Sequence, residues 1–298
     1  MSDDAWARLV SSANDPAFAA SFETAFNNGR AFLEASDALR GRRPLRVEWK
    51  GPHRPPGDDV IPADLRIDHV FLVSCKYLSK VLLNPGPQRL FERLLVGEQR
   101  VATNWFAECA PVEFQTFYEA ALANATLTVM PTLVGELSKV QQKALKQTLA
   151  ARTLPVGLAD PWSALCTAVA TESARRWNQA LSSKTARLRL LWKLLRISSA
   201  SYFVLGTDKS AHLRLRVDSA WDWNQAYELT GLTVAARQAG QPEVAWHAVV
   251  RRRIDGAELS IDGHVEIRWS HGRFVGVPES KVYLDTPHGQ VPGYHALT

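Results

Sequence analysis

The sequence predicts an α/β fold: a mixed sheet flanked by helices, with a helical middle segment and a β-rich C-terminal half. Three observations predict it. Between residues 45 and 77 short apolar runs are separated by Pro, Gly and Asp. From 101 to 198 apolar residues recur at helical spacing almost throughout, and from 201 the spacing turns to strand-like alternation. The chain has 298 residues, 46% of them hydrophobic and 22% charged, so it can bury a substantial core. No linker separates the segments 1–100, 101–198 and 199–298, so one composite domain is as good a reading as two.

In order, Asp15-Pro16 reads as a helix start, and Phe18, Phe22, Phe26, Gly29 and Leu33 form an apolar stripe over a helix spanning 16–38. LRVEW (45–49) reads as a strand, and GPHRPPGDDVIPA (51–63) as a loop. DLRIDHVFLVSCKYL contains two short strands with a turn near Asp68-His69. NPGP (84–87) breaks the chain, and QRLFERLL begins another helix. The helical middle is interrupted at Pro131, Pro155 and Pro161. SYFVLG, HLRLRV, EVAWHAVVRR, ELSID, HVEIRWS and KVYLD then read as strands, and SYFVLG is a candidate to return to the first sheet, with 101–198 as an insertion.

Composition excludes several classes. No apolar run reaches the length of a membrane span. MSDDAWARLV is acidic and lacks the basic start and apolar core of a signal peptide. Cys75, Cys109 and Cys166 have no metal-ligand spacing, which suits a reducing cytoplasm. No Gly-rich phosphate loop, HExxH or GxSxG is present. Net charge is +5, and the excess sits in the middle: from Lys139 to Arg196 there are 11 Lys/Arg against two acids, Asp160 and Glu172. Such a stretch is the footprint of a phosphate-backbone contact, with a solvated helix face as the alternative. The candidate nucleic-acid contacts are Arg175, Arg176, Lys184, Arg187, Arg189, Lys193 and Arg196, with Trp177 and Trp192 interleaved as core or as stacking platforms.

The stretch PADLRIDHVFLVSCKY (62–77) carries the most chemistry. Ser74 and Lys76 are two apart on one strand and share a face. A turn of three residues, Asp68 to Val70, puts Asp64 opposite Ser74 on that face, whereas a two-residue turn aims it away. A lysine in the apolar run VFLVSCKYL needs a carboxylate or a bound phosphate to offset its desolvation. Two readings stay open: metal-assisted phosphodiester hydrolysis and a structural Asp–Lys ion pair.

The order helix, strand, Asp64 strand, Ser74-x-Lys76 strand, helix resembles the core of the PD-(D/E)xK nuclease superfamily over roughly residues 16–100. The resemblance implies a restriction-endonuclease-like fold with a site of one Asp and, a strand later, a carboxylate-x-Lys pair. Lys76 and Asp64 match. Ser74 stands where the family usually has a carboxylate, a variant in which the following helix supplies it, here Glu92. The first helix adds Glu34, preferred over Glu23. The resemblance implies a Mg²⁺ cofactor, with Mn²⁺ as substitute, a DNA substrate, bacterial defence, an ATPase or helicase partner and a homodimer. Asp64, Glu92 and Glu34 would hold the metal, Lys76 would handle the nucleophile, and Ser74 would bond the metal-bound water. Without the second carboxylate the chain would be an eroded, DNA-binding scaffold subunit.

Other groups compete. Glu48-Trp49-Lys50 and Glu279-Ser280-Lys281 are further E-x-K triplets. His264 and Glu266 share a strand face as a metal pair, and with His271 and Arg273 are candidates to line a groove. Arg251-Arg252-Arg253 reads as an exposed strand end and Trp221-Asp222-Trp223 as packing.

Overall fold

The computed structural model describes residues 2–50, 63–77, 81–83, 86–91, 104–125, 127, 129–149, 154–208 and 211–298. In chain order the helices are α1 (Asp3–Ala13), α2 (Ala19–Glu34), α3 (Pro87–Phe91), α4 (Trp105–Cys109), α5 (Pro111–Asn124), α6 (Lys139–Thr148), α7 (Val156–Ala180), α8 (Lys184–Leu194) and α9 (Ala220–Ala226). The strands are β1 (Val47–Trp49), β2 (Leu65–Ile67), β3 (Phe71–Tyr77), β4 (Val81–Leu83), β5 (Tyr202–Asp208) and β6 (Ala211–Val217). They continue with β7 (Tyr227–Gln238), β8 (Pro242–Arg252), β9 (Glu258–Arg268), β10 (Glu279–Leu284) and β11 (Tyr294–Ala296).

Two sheets organise the α/β fold. The first is mixed, ordered β1-β2-β3-β5-β6-β11, with β3 and β5 parallel and every other pair antiparallel. A parallel pair needs a crossover, and here the crossover is the whole stretch from β4 through α8. The second sheet, β4-β10-β9-β8-β7, is antiparallel throughout. β4 therefore leaves the first sheet, although it follows β3 by only a few residues.

The core ignores the division of the chain into thirds. One hydrophobic cluster joins α3–α5, α7 and α8 to strands of both sheets, with Trp105, Trp177, Trp223 and Trp246 fully buried. A second, smaller cluster packs α2 on the outer face of the first sheet through Phe32, Ile67, Val73 and Phe203. No helix among the described residues is long and apolar enough to cross a membrane.

Several local expectations are corrected. The first helix runs over 19–34, preceded by a 3-10 turn at Pro16–Phe18 that Asp15 caps. Only part of the expected stripe faces the sheet: Phe18 and Phe26 are exposed, Leu33 packs against the small cluster, and the residues that α2 buries are Asn28 and Phe32. The reason is pairing at a distance. The Asn28 amide donates to the Gly206 carbonyl (3.1 Å) and accepts from Arg214 Nε (2.8 Å), while Phe32 meets Phe71 and Phe203 edge-on.

Pro161 does not interrupt α7. It lies in the second turn, where it forfeits one amide donor, and the apolar face beyond it keeps the helix going. ELSID and HVEIRWS form one strand, because Gly263 leaves room for the Trp246 indole: a Cβ there would lie 2.1 Å from the ring. The spacing does not announce α1 or β7.

α7 carries a charge network that yields a pH prediction. Glu172 accepts from Arg175 (2.6 Å) and Arg176 (2.9 Å), and Arg176 also reaches Glu108 (2.7 Å) and lies over the Trp105 ring. The hydrogen bond from Arg175, ahead of that from Arg176, holds the Glu172 carboxyl down to about 2. A carboxyl lowered by folding stabilises fully above its unfolded value, about 4.3, and that contribution fades as pH falls from there through about 2. Glu172→Gln is expected to lose about 1 kcal/mol at pH 7, and the gap to wild type should shrink to about half by pH 3. Urea midpoints at the two pH values check this; an equal gap at both would sink it.

Candidate functional site

The β2–β3 hairpin sets the geometry around Asp64. Its turn takes three residues, Asp68, His69 and Val70, with Asp68 and His69 both in the left-handed region (φ 50° and 61°). Asp68 pins the turn by accepting from the backbone amides of Leu45 (2.7 Å) and Arg46 (2.8 Å). Leu65 pairs with Val73, Arg66 with Leu72 and Ile67 with Phe71, so the same register places Asp64 opposite Ser74. The odd-length turn that Asp64 needs is the one that forms.

The contacts follow from that register. Asp64 Oδ2 accepts from the Cys75 backbone N–H (2.6 Å) and from Ser74 Oγ (3.3 Å). Ser74 is 2% exposed. Its hydroxyl donates to the Asp64 carboxylate. Lys76 is half-buried, one residue before β3 ends, rather than deep in the core. β1 adds a residue that the sequence reading set aside: the Lys50 amide donates to the Asp64 carbonyl (2.9 Å), and the β1–β2 register puts Lys50 opposite Asp64. By strand alternation Lys50, Asp64, Ser74 and Lys76 occupy one face of the first sheet, away from α2.

The opposite face holds Val73 and Cys75. They line an apolar cavity of about 460 Å³ beneath α2, together with Asn28, Phe32 and Leu205. Cys75 reaches solvent, yet burial first and the Asp64 charge second push its thiol up to about 11. It is therefore protonated at neutral pH.

The remaining carboxylates of the expected site divide. Glu92 and Pro62 lie outside the described residues. Glu34 is exposed and pairs with Arg30 along α2 (2.9 Å), and Glu23 is exposed too. Among the described residues Asp64 belongs to no cluster of three ligating side chains. Glu48 is held by Arg66 through both of its oxygens (2.6 and 3.1 Å), and that pairing lowers its carboxyl.

Most of the basic middle is already partnered. Arg175 and Arg176 serve Glu172 and Glu108, Lys184 reaches Glu228 on β7 (2.7 Å), and Arg187 donates to the Leu181 carbonyl. Arg189 is exposed, Lys193 and Arg196 are half-buried, and Arg196 has a left-handed backbone (φ 56°). Trp177 is core, its indole N–H bonded to the Leu90 carbonyl, and half-buried Trp192 meets Trp223 edge-on. These residues do not form one exposed stripe, because α7 and α8 each turn part of their charge toward carboxylates or carbonyls of neighbouring elements.

The second sheet adds to the His264–Glu266 pair a residue that sequence reasoning missed. Glu243 on β8 pairs in register with Glu266 on β9, and the ligating atoms of Glu243, His264 and Glu266 lie within 4.8 Å of one another. Asp285 accepts from His264 Nδ1 (2.9 Å), and Arg237 and Arg268 stand 3.3 Å from Glu243 and Glu266. Nothing in the linear sequence links residue 243 to 264. Arg252 pairs with Asp255, Arg253 donates to the Asn224 and Tyr227 carbonyls, and His271 is exposed. Trp221 is exposed, Asp222 caps α9, and Trp223 is buried.

No family model matches this chain, and no curated protein or solved structure matches it either.

Proposed function

We propose that the protein is a metal-dependent endonuclease that hydrolyses DNA phosphodiester bonds, working in the cytoplasm in bacterial defence against foreign DNA. The observation that carries the reading is the juxtaposition of Asp64, Ser74 and Lys76 on one sheet face. The helix and three strands expected of a restriction-endonuclease-like core also occur in the expected order, with their strands in one sheet.

The donor set suits a hard divalent cation in part. Mg²⁺ is commonly held by one or two carboxylates, with water and substrate phosphate completing its shell. Asp64 would be the main ligand with Glu92 as the second, and Mn²⁺ could substitute; Glu34, on α2 at the opposite face of the sheet and paired with Arg30, is not placed to join them. When bound, the ion supplies Lewis-acid polarisation of the phosphoryl group and an acidified water. Ser74 and the Cys75 amide orient the Asp64 carboxylate, and Lys76 brings positive charge to the reacting phosphate. A homodimer and an ATPase or helicase partner belong to the same proposal.

A second reading has its own observation. Asp64 Oδ2 is occupied by two donors from its own hairpin and Glu34 by Arg30, as in a nuclease fold kept as a DNA-binding scaffold. Incubating supercoiled and linear plasmid with Mg²⁺, Mn²⁺ or EDTA separates the two. Cleavage that needs metal and falls to background in Lys76→Ala supports the nuclease. Salt-sensitive DNA binding without cleavage supports the scaffold, and neither would overturn both.

A further inference from the structure

A second charged site lies apart from Asp64, where α6 and α7 meet the end of the second sheet. A cavity of about 500 Å³ there is lined by Lys146, Arg268, Arg273 and Lys281, with Trp162 and Ser270 among its walls and no carboxylate among the described residues that line it. Its size falls within the range of small-molecule sites. The four cations come from α6, β9, the loop after β9, and β10, so tertiary structure alone assembles them.

The cavity is built in detail. The Arg273 guanidinium is held by the Leu149 carbonyl (3.1 Å) and stands 5.9 Å over the Trp162 ring, whose indole N–H bonds the Gly240 carbonyl. Gly272 has φ +104°, and a Cβ there would meet the Lys146 side chain at 3.0 Å, so the missing side chain lets the lysine stem lie across the loop. Two carboxylates neighbour the lining: Glu266 approaches Arg268 at 3.3 Å and pairs in register with Lys281, and Glu279 accepts from the Ser270 hydroxyl. Against these two the lining sets four cations, and the space keeps an excess of positive charge. A planar guanidinium beside flexible ammonium groups is the donor set that recognises phosphate oxygens.

We propose that this cavity binds a phosphate monoester, carried by a free nucleotide or by the end of a nucleic-acid strand. Isothermal titration calorimetry tests it, with tryptophan fluorescence as a second readout because Trp162 and Trp269 line the space. The probes are a nucleoside 5′-monophosphate, the bare nucleoside, and a short oligonucleotide with and without a 5′-phosphate.

The phosphorylated probes are expected to bind and the nucleoside not to, with affinity falling as salt rises. Lys146→Met and Lys281→Met keep the aliphatic stems and should each weaken binding about tenfold. Tighter binding of the strand with a 5′-phosphate than of the same strand without it, lost in the lysine variants, names the strand end as the source, and equal binding of the two strands beside a bound mononucleotide names the nucleotide. Asp64→Asn should bind as wild type does, so failure here is distinct from failure of the nuclease reading. Equal binding of nucleoside and monophosphate overturns the proposal. So does absence of binding at millimolar ligand, or wild-type affinity in both lysine variants.

Discussion

Asp64→Asn is expected to cut metal-dependent DNA cleavage by about 100-fold or more, a barrier increase of roughly 2.7 kcal/mol, while leaving the fold intact. The substitution is chosen for what it preserves. The Asp64 carboxylate accepts from the Cys75 amide and from Ser74, and an asparagine oxygen can still accept both hydrogen bonds. What it loses is the charge that would hold a divalent cation. Asp64→Ala removes both roles and so cannot tell a structural cap from a metal ligand. Initial rates on supercoiled plasmid, with the melting temperature measured in parallel, give the answer. An Asn variant that melts with wild type yet has lost cleavage marks Asp64 as the ligand. One that cleaves at the wild-type rate would remove Asp64 from the chemistry.

Gly206→Ala is expected to destabilise the protein by about 3 kcal/mol or more. Gly206 on β5 pairs in the parallel register with Lys76 on β3. A Cβ there would lie 1.5 Å from the Lys76 carbonyl oxygen and 2.5 Å from its carbon. Backbone atoms inside a sheet cannot step aside as the tip of a flexible side chain can, so β3 and β5 must part. The Gly206 carbonyl also accepts from Asn28, so α2 would loosen with the strands. Chemical denaturation reads the loss directly, and a change below 1 kcal/mol would refute the steric argument. Because Lys76 sits across from the glycine, a small amount of folded variant should also cleave more slowly than its folded fraction predicts.

The two strands of the hairpin around Asp64 were legible because their signals are local, while the turn that joins them is pinned by the distant amides of Leu45 and Arg46. Leu65 to Ile67 and Phe71 to Tyr77 are short apolar runs, and one three-residue turn decides which face Asp64 takes. The orientation of α2 was not legible. Its phenylalanines suggested one face, but a buried asparagine with partners on β5 and β6 selected another. Charge behaved in the same way. The run from Lys139 to Arg196 looked like one basic surface, yet Glu108 and Glu228, distant in sequence, neutralise parts of it. The four cations that do converge include only Lys146 from that run.

The sequence by itself determined the α/β class, the helical middle and, β7 and β11 apart, the strands from 202 onward, and it reduced the placing of Asp64 to the length of one turn, because periodicity and turn chemistry act over a few residues. Only the tertiary structure decided that β4 joins the second sheet, that β5 runs parallel beside Lys76, that Glu243 meets His264, and that Lys146 faces Arg273 across a cavity. Each of these is a contact between distant parts of the chain. It exists because burying the shared core brings those parts together, and no pattern in either segment alone encodes the other's position.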